Sequence, residues 1–412
     1  MLKKTAKSRS IGLAAAGLCL CLLAAPVCVK AGDHIPAAYA GIYQMLEQTL
    51  DAETVRLQRA DKATVGTRPL ISVDLLIANS NRGPALLQPM VMDAVRLSLD
   101  RFRNLGIQSV KFAVQYPLFR PDFPHAAEYL AFYKQVVTEA HARGLKVMPH
   151  VTVLFADTPF SPFKGIYRGL NLERFKREYR DMVHLIVREL HPDFLSLLTE
   201  PDTHARLTGL QEIDDPQTVV DIVRYTLQGL DRGKTLIGAG SGSWSPAAFA
   251  EALTGKTDID FLCIHVYPVT GPFLSNARAM ARIARASGKQ IFVDEAWLYK
   301  ILRPGQVDGI AATADVFRLD SYSFWQPLDQ KFITVMLRLA ETEHIGLVSF
   351  FWSSQFFGYL DYSPEMEQMP YRELTQQFNR VVYRNMLDGK LSVLGEFMQR
   401  EISGRRAKAI TP

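Results

Sequence analysis

From residue 70 onward the chain alternates between two hydrophobic patterns. Short apolar runs occur at residues 70–78, 109–115, 145–151, 193–199, 235–240, 260–267, 290–296 and 346–352. They do not alternate cleanly between apolar and polar, the pattern expected of parallel strands covered on both faces. Between them, apolar residues recur three and four apart, as in Tyr129, Phe132, Tyr133, Val136, Val137 and Ala140. Phe175, Tyr179, Met182, Val183, Ile186 and Val187 repeat that stripe, as do Phe332, Val335, Met336, Leu339 and Ala340. This is the helical period. Gly106, Gly144, Gly288 and Gly346 stand just ahead of predicted strands, where glycine ends a helix by adopting the left-handed conformation.

Eight strand–helix units in one stretch predict a single-domain (β/α)8 TIM barrel over residues 32–390. A doubly wound sheet would put a glycine-rich phosphate turn after its first strand, and residues 78–83 (ANSNRG) lack that spacing. Ile42, Met45, Leu46, Thr49 and Leu50 predict a helix before the first strand, set against the barrel base. Residues 391–412 read as a solvated C-terminal tail.

Composition adds the destination. The chain has 412 residues, 48% hydrophobic and 22% charged, in the range of globular proteins. Residues 1–31 place a basic stretch before the uncharged run Ile11–Val29 and read as a signal peptide. The expected location is secreted or periplasmic; an uncleaved membrane anchor is the alternative. The five cations of this leader (Lys3, Lys4, Lys7, Arg9, Lys30) account for the whole net charge of +5. The remainder is formally neutral, without the electrostatic footprint of a nucleic-acid or anionic-membrane binder. Cys19, Cys21 and Cys28 also lie in the leader, and Cys263 alone supports neither a disulfide framework nor a cysteine zinc site.

A barrel of this kind carries its active site at the C-terminal ends of the strands. There the runs close on His150, Thr199-Glu200, His265-Val266-Tyr267, Asp294-Glu295-Ala296-Trp297 and Trp352. Trp244, Trp297 and Trp352 fall at or just past strand ends and Trp325 in the loop after strand seven, where aromatic faces suit sugar rings. Glu200 and Glu295 close strands four and seven, on opposite sides of the mouth. Glycoside hydrolysis needs such a pair, one carboxyl to protonate the leaving oxygen and one to attack or to activate water. No metal or organic cofactor is expected. Strand one has no histidine, and no His-x-His or His-x-x-x-His stands at a strand end.

The segments FLSLLTEP (194–201), IHVYP (264–268), IFVDEAW (291–297) and FFW (350–352) resemble the clan of retaining (β/α)8 glycoside hydrolases with an acid/base Glu on strand four and a nucleophile Glu on strand seven. The resemblance implies Glu200 as acid/base and Glu295 as nucleophile. It also implies a Tyr267 hydrogen bond to the nucleophile and a sugar subsite lined by His150, His265 and Trp352. Thr199 stands where the clan has an Asn that binds the sugar 2-hydroxyl. Lys111 is the only cation of strand two, where the clan commonly has an Arg.

The expectation is a secreted hydrolase of a β-linked oligo- or polysaccharide, with the Glu200 pKa raised for proton delivery and Glu295 ionised. The alternative is a barrel that binds or assembles glycans without turnover. The stretch from Lys300 to Asp329 is too long for an ordinary connection and reads as either a lid or a disordered segment, with Tyr322, Phe324 and Trp325 favouring an ordered lid. Aromatics after strand three (Phe155, Phe160, Phe163, Tyr167) and strand eight (Phe356, Phe357, Tyr359, Tyr362) read either as sugar platforms or as packed clusters.

Overall fold

The structure is a computed structural model that describes residues 35–60, 68–268, 272–300 and 319–410. The expected signal segment, residues 1–31, lies outside the described residues, as does the centre of the expected lid, residues 301–318. No helix among the described residues is long and apolar enough to cross a membrane.

Every predicted strand forms. β1 (Leu70–Asp74), β2 (Ser109–Ala113), β3 (Lys146–Val151), β4 (Phe194–Leu197), β5 (Leu236–Gly242), β6 (Phe261–Val266), β7 (Gln290–Ala296) and β8 (Leu347–Phe350) pair in parallel and close into a barrel. β1 is shorter than its apolar run, because Leu76–Ala78 turns into a 3-10 helix after the Leu75 N–H bonds the Lys111 carbonyl. The outer ring holds α2 (Pro89–Leu105), α3 (Ala126–Ala142), α4 (Leu172–Leu190), α6 (Pro216–Leu227), α7 (Ala247–Lys256), α8 (Phe273–Ala286) and α9 (Gln326–Thr342). Their apolar stripes are buried as predicted, for example Phe175, Tyr179, Val183 and Ile186 on α4.

The barrel interior changes character with height, because strand residues two apart share a face. Phe194, Phe261, Phe292 and Leu347 fill the base, with Phe261 and Phe292 stacked at 4.1 Å. Gly238 makes room for this plug, since a Cβ there would sit 2.2 Å from the Phe261 ring. Above it come Ser72, Ser109, Ser196 and Ser349, all fully buried, and then the charged residues of the mouth.

Two predicted segments pack elsewhere. α1 (Ala40–Ala60) does not close the base, which the phenylalanines already fill. It joins the outer ring through buried Ile42, Leu46 and Leu50, contacts α9, and pairs Glu53 with Arg278 of α8. The expected tail is not solvated where its side chains are described, over residues 391–405. Val393–Ile410 forms α12, whose Leu394, Met398 and Ile402, four apart, are buried against the barrel, with Arg405 paired to Glu341. Between β8 and α12 lie the short α10 (Pro364–Glu367) and α11 (Tyr371–Asp388), the latter packed on α2.

Candidate active site

The mouth opens into a cleft of about 940 Å³ whose walls include Glu200, Glu295, Asp74, Lys111, His150 and His265. Two backbone irregularities aim its carboxylates. In β7 the register with β6 slips, so that Ile264 pairs with Val293 but His265 with Glu295. Strict alternation would send Asp294 and Glu295 to opposite faces, and the bulge turns both inward. After β4, Leu198 adopts φ 47°, a left-handed conformation unusual for a bulky residue. That turn delivers Glu200 as the residue capping α5 (Pro201–Thr208), with Pro201 at its first position.

Glu295 is gripped from two sides. The Lys111 ammonium bonds one carboxylate oxygen and the Tyr267 hydroxyl donates to the other. Lys111 is fully buried and also pairs with Asp74 Oδ2 at 3.0 Å. Burial alone would lower the lysine's pKa, but the charges of Asp74 and Glu295 outweigh it and raise it. Burial pushes Asp74 up to about 8, against the pull of Lys111 and with the push of Glu295. Lys111 thus meets the nucleophile candidate from the middle of strand two.

Glu200 has a different setting. His265 Nδ1 donates to its Oε1 at 2.8 Å. The same imidazole places Nε2 3.6 Å from Asp294 Oδ2 and 4.0 Å from Glu295 Oε2, ionic contacts rather than hydrogen bonds. Burial disfavours a charged His265, yet the Asp294 and Glu295 carboxylates overcome it and lift its pKa to about 10. Asp294 is braced in turn by the Ser196 hydroxyl at 2.5 Å. Burial would raise the Glu200 pKa, as the sequence led us to expect. The His265 hydrogen bond and positive charge, aided by Thr203 and His204, outweigh it and hold Glu200 below the usual glutamate value.

Sequence reasoning missed His204, four residues past Glu200. Its Nδ1 donates to the Glu200 carbonyl at 2.5 Å and its Nε2 meets the Thr152 hydroxyl at 3.0 Å, which ties α5 to the loop after β3. Burial lowers its pKa to about 4, so the ring is neutral. Asp74 and Asp202 were missed as well, and Asp294, although it closes strand seven, was given no role. Asp202 accepts the Trp244 indole N–H at 2.9 Å, and burial together with the Glu200 charge raises its pKa to about 6.

Of the other sequence-predicted residues, His150, Trp244, Trp297 and Trp352 line the cleft with Tyr267 and His265. Trp244 stacks on Tyr267 at 5.2 Å, and Trp297 meets Tyr267 edge-on at 5.8 Å. Two residues are elsewhere. Thr199 is fully buried and off the cleft wall, its hydroxyl 2.5 Å from His150 Nε2. Trp325 is fully buried against Tyr43 of α1, 5.8 Å away, so it anchors that helix and does not meet the cleft. Tyr322 and Phe324 join the same cluster around Tyr39. Among the loop aromatics Phe155, Phe160 and Phe357 reach the cleft. Phe163 packs on Phe123, and Tyr167 and Tyr359 are hydrogen-bonded into the scaffold.

His150, His265 and Asp294 have donor atoms within 4.8 Å of one another. Within this group His150 Nε2 is bonded to the Thr199 hydroxyl and Asp294 Oδ2 to the Ser196 hydroxyl, and His265 Nδ1 is bonded to Glu200. The donor set therefore suits a hydrogen-bonded relay better than a cation site.

A (β/α)8 barrel with paired carboxylates across an aromatic-lined mouth is the class that fold and site define. No family model matches the chain, and no curated protein matches it in sequence. Solved structures do match in fold. An exo-β-1,4-mannosidase from Opitutaceae bacterium strain TAV5 aligns at TM-score 0.55 and 16% identity over 85% of this chain, which spans 63% of that protein. GH5_18 from Bifidobacterium longum subsp. longum ATCC 55813 aligns at 0.54 and 14% identity, over 83% of this chain and 80% of the other. A Glu-to-Ala variant of GH5_18 from Streptomyces cattleya, in complex with Manb1-4GlcNAc, aligns at 0.52 and 16%, over 84% of this chain and 82% of the other. At these identities the likeness establishes the (β/α)8 fold.

Proposed function

We propose that the protein is a secreted glycoside hydrolase that cleaves a β-linked glycan with retention. Glu295 attacks the anomeric carbon as Glu200 protonates the departing oxygen; water then enters, gives its proton to Glu200 and releases the sugar from Glu295. The observation that carries this reading is that one imidazole, His265, touches both carboxyl groups on the wall of one cleft. Lys111 and Tyr267 each hold one oxygen of Glu295, which orients the carboxylate for attack. The mannosidase and the disaccharide complex among the fold neighbours make β-1,4-mannosides the first substrates to try. The low Glu200 pKa makes this a strong acid populated at low pH, so turnover belongs on the acidic side.

A second reading, a glycan-binding barrel without turnover, draws on the same pair, since a carboxylate kept ionised near neutrality delivers no proton there. Release of reducing ends from a panel of β-linked polysaccharides, measured between about pH 4 and 8, separates the two. Hydrolysis abolished by Glu295→Ala supports the hydrolase, hydrolysis that survives that substitution removes Glu295 from its role, and binding without hydrolysis at every pH selects the second reading.

A further inference from the structure

The turn after β1 is braced far beyond what a connection needs. Asn79 Oδ1 accepts the Asn81 N–H at 2.9 Å, the Ser80 hydroxyl donates to Gln115 at 2.6 Å, and Asn81 Oδ1 accepts the Phe155 N–H at 2.8 Å. Gly83 takes φ 56° against Pro162, where a Cβ would come within 2.7 Å. Ser80, Asn81 and Gly83 are all buried, and Arg82 alone among them is exposed.

Arg82 stands on the wall of the cleft that holds Glu200 and Glu295. Among the described residues its side chain forms no ion pair and no hydrogen bond. The cleft walls crowd it even though solvent reaches it, and that loss of water pulls its pKa down with no carboxylate acting to restore it. An arginine fork carried on a braced turn in a concave wall, with no acid of its own, is complementary to a planar or tetrahedral anion. Phe155, fixed to the same turn through Asn81, gives the cleft wall an aromatic face beside it.

We propose that Arg82 and Phe155 form a subsite for an acidic sugar, one carrying a carboxylate or a sulfate ester. The assignment rests on the glycan-cleft reading above and narrows its substrate class from glycans in general to anionic ones. The aromatic ring takes the apolar face of the sugar while the guanidinium binds its charged group.

The test is calorimetric titration of the whole protein and of Arg82→Gln. The probes are a β-1,4-linked oligomannuronate, its carboxyl-reduced manno-oligosaccharide, and a sulfated manno-oligosaccharide of the same length. The expected result is that at least one anionic probe binds roughly 10-fold or more tightly than the neutral one, the gain of a charge-assisted hydrogen bond. That gap narrows with added salt. Arg82→Gln closes the gap and leaves neutral binding unchanged, and Arg82→Lys keeps part of it. Whichever anion gains identifies the charged group. No gap for either anion, absence of binding to both, or a gap that survives Arg82→Gln overturns the subsite. Because binding is read without turnover, failure of hydrolysis with an intact gap counts against the hydrolase and not against Arg82. Hydrolysis of neutral glycans without a gap counts the other way.

Discussion

The strand-four and strand-seven sides of the mouth carry the same functional group in opposite settings. Glu295 sits on a bulged strand, fixed by a buried ammonium and a phenol, one for each oxygen. Glu200 sits past a left-handed turn at the start of a helix, with one imidazolium bond and a side chain closer to solvent. Two donors and a strand leave Glu295 little freedom, which suits the nucleophile role proposed for it. One donor and a helix cap leave Glu200 able to meet an oxygen or a water. The difference lies in the supporting residues, since the carboxylates themselves are chemically alike.

Removing Lys111 is the largest way to break this asymmetry. Lys111→Met leaves Asp74 and Glu295 buried without their shared cation, and loss of one partner from a buried ion pair costs about 3–5 kcal/mol. Thermal melting should show a large drop and hydrolysis should fall by two orders of magnitude or more. Adding Asp74→Asn, which removes the second buried carboxyl group and its push on Glu295, should recover part of the melting temperature while hydrolysis stays lost. Recovery of both would reduce Lys111 to a structural residue.

The second effect concerns pH. His265→Gln removes the positive charge that holds Glu200 low, so the alkaline limb of kcat/KM should move to higher pH. Stability moves with the same residue. In the folded protein His265 binds a proton up to about pH 10, and in the unfolded chain only to about 6.5. The native state therefore holds the extra proton between those values, and stability falls as pH rises through that window. Melting temperatures measured across it should decline less steeply for His265→Gln. An unmoved kinetic limb would detach His265 from the acid.

Thr199 gives the smallest change. Its hydroxyl orients His150 from behind and is not on the cleft wall. Thr199→Val should cost roughly 3- to 10-fold in kcat/KM, the worth of one buried hydrogen bond. A loss above 100-fold, read from initial rates, would mean that Thr199 reaches the sugar.

These contrasts also mark what the sequence revealed. Glu200 and Glu295 were legible because parallel strands end in polar residues at the mouth, and apolar runs locate strand ends. Asp294 was not, because a two-residue alternation sends it outward and a register slip leaves no mark in composition. Lys111 was seen as a cation but not as a partner of Glu295, since that contact joins residues 184 apart. Trp325 was placed at the mouth by its neighbours in sequence, yet a large aromatic ring also suits a helix interface, and there it lies. The stripe Leu394, Met398 and Ile402 was present in the tail and was outweighed by the charges of Arg405, Arg406 and Lys408.

The most direct measurement is the mass of the protein after incubation with a 2-fluoro glycosyl fluoride of the β-linked sugar proposed as its substrate. Peptide mapping should place a single added glycosyl group on Glu295, with Glu295→Ala unlabelled. A label on Glu200 or on another residue, or hydrolysis that proceeds with inversion and leaves the protein unlabelled, would contradict the division of roles between the two carboxylates.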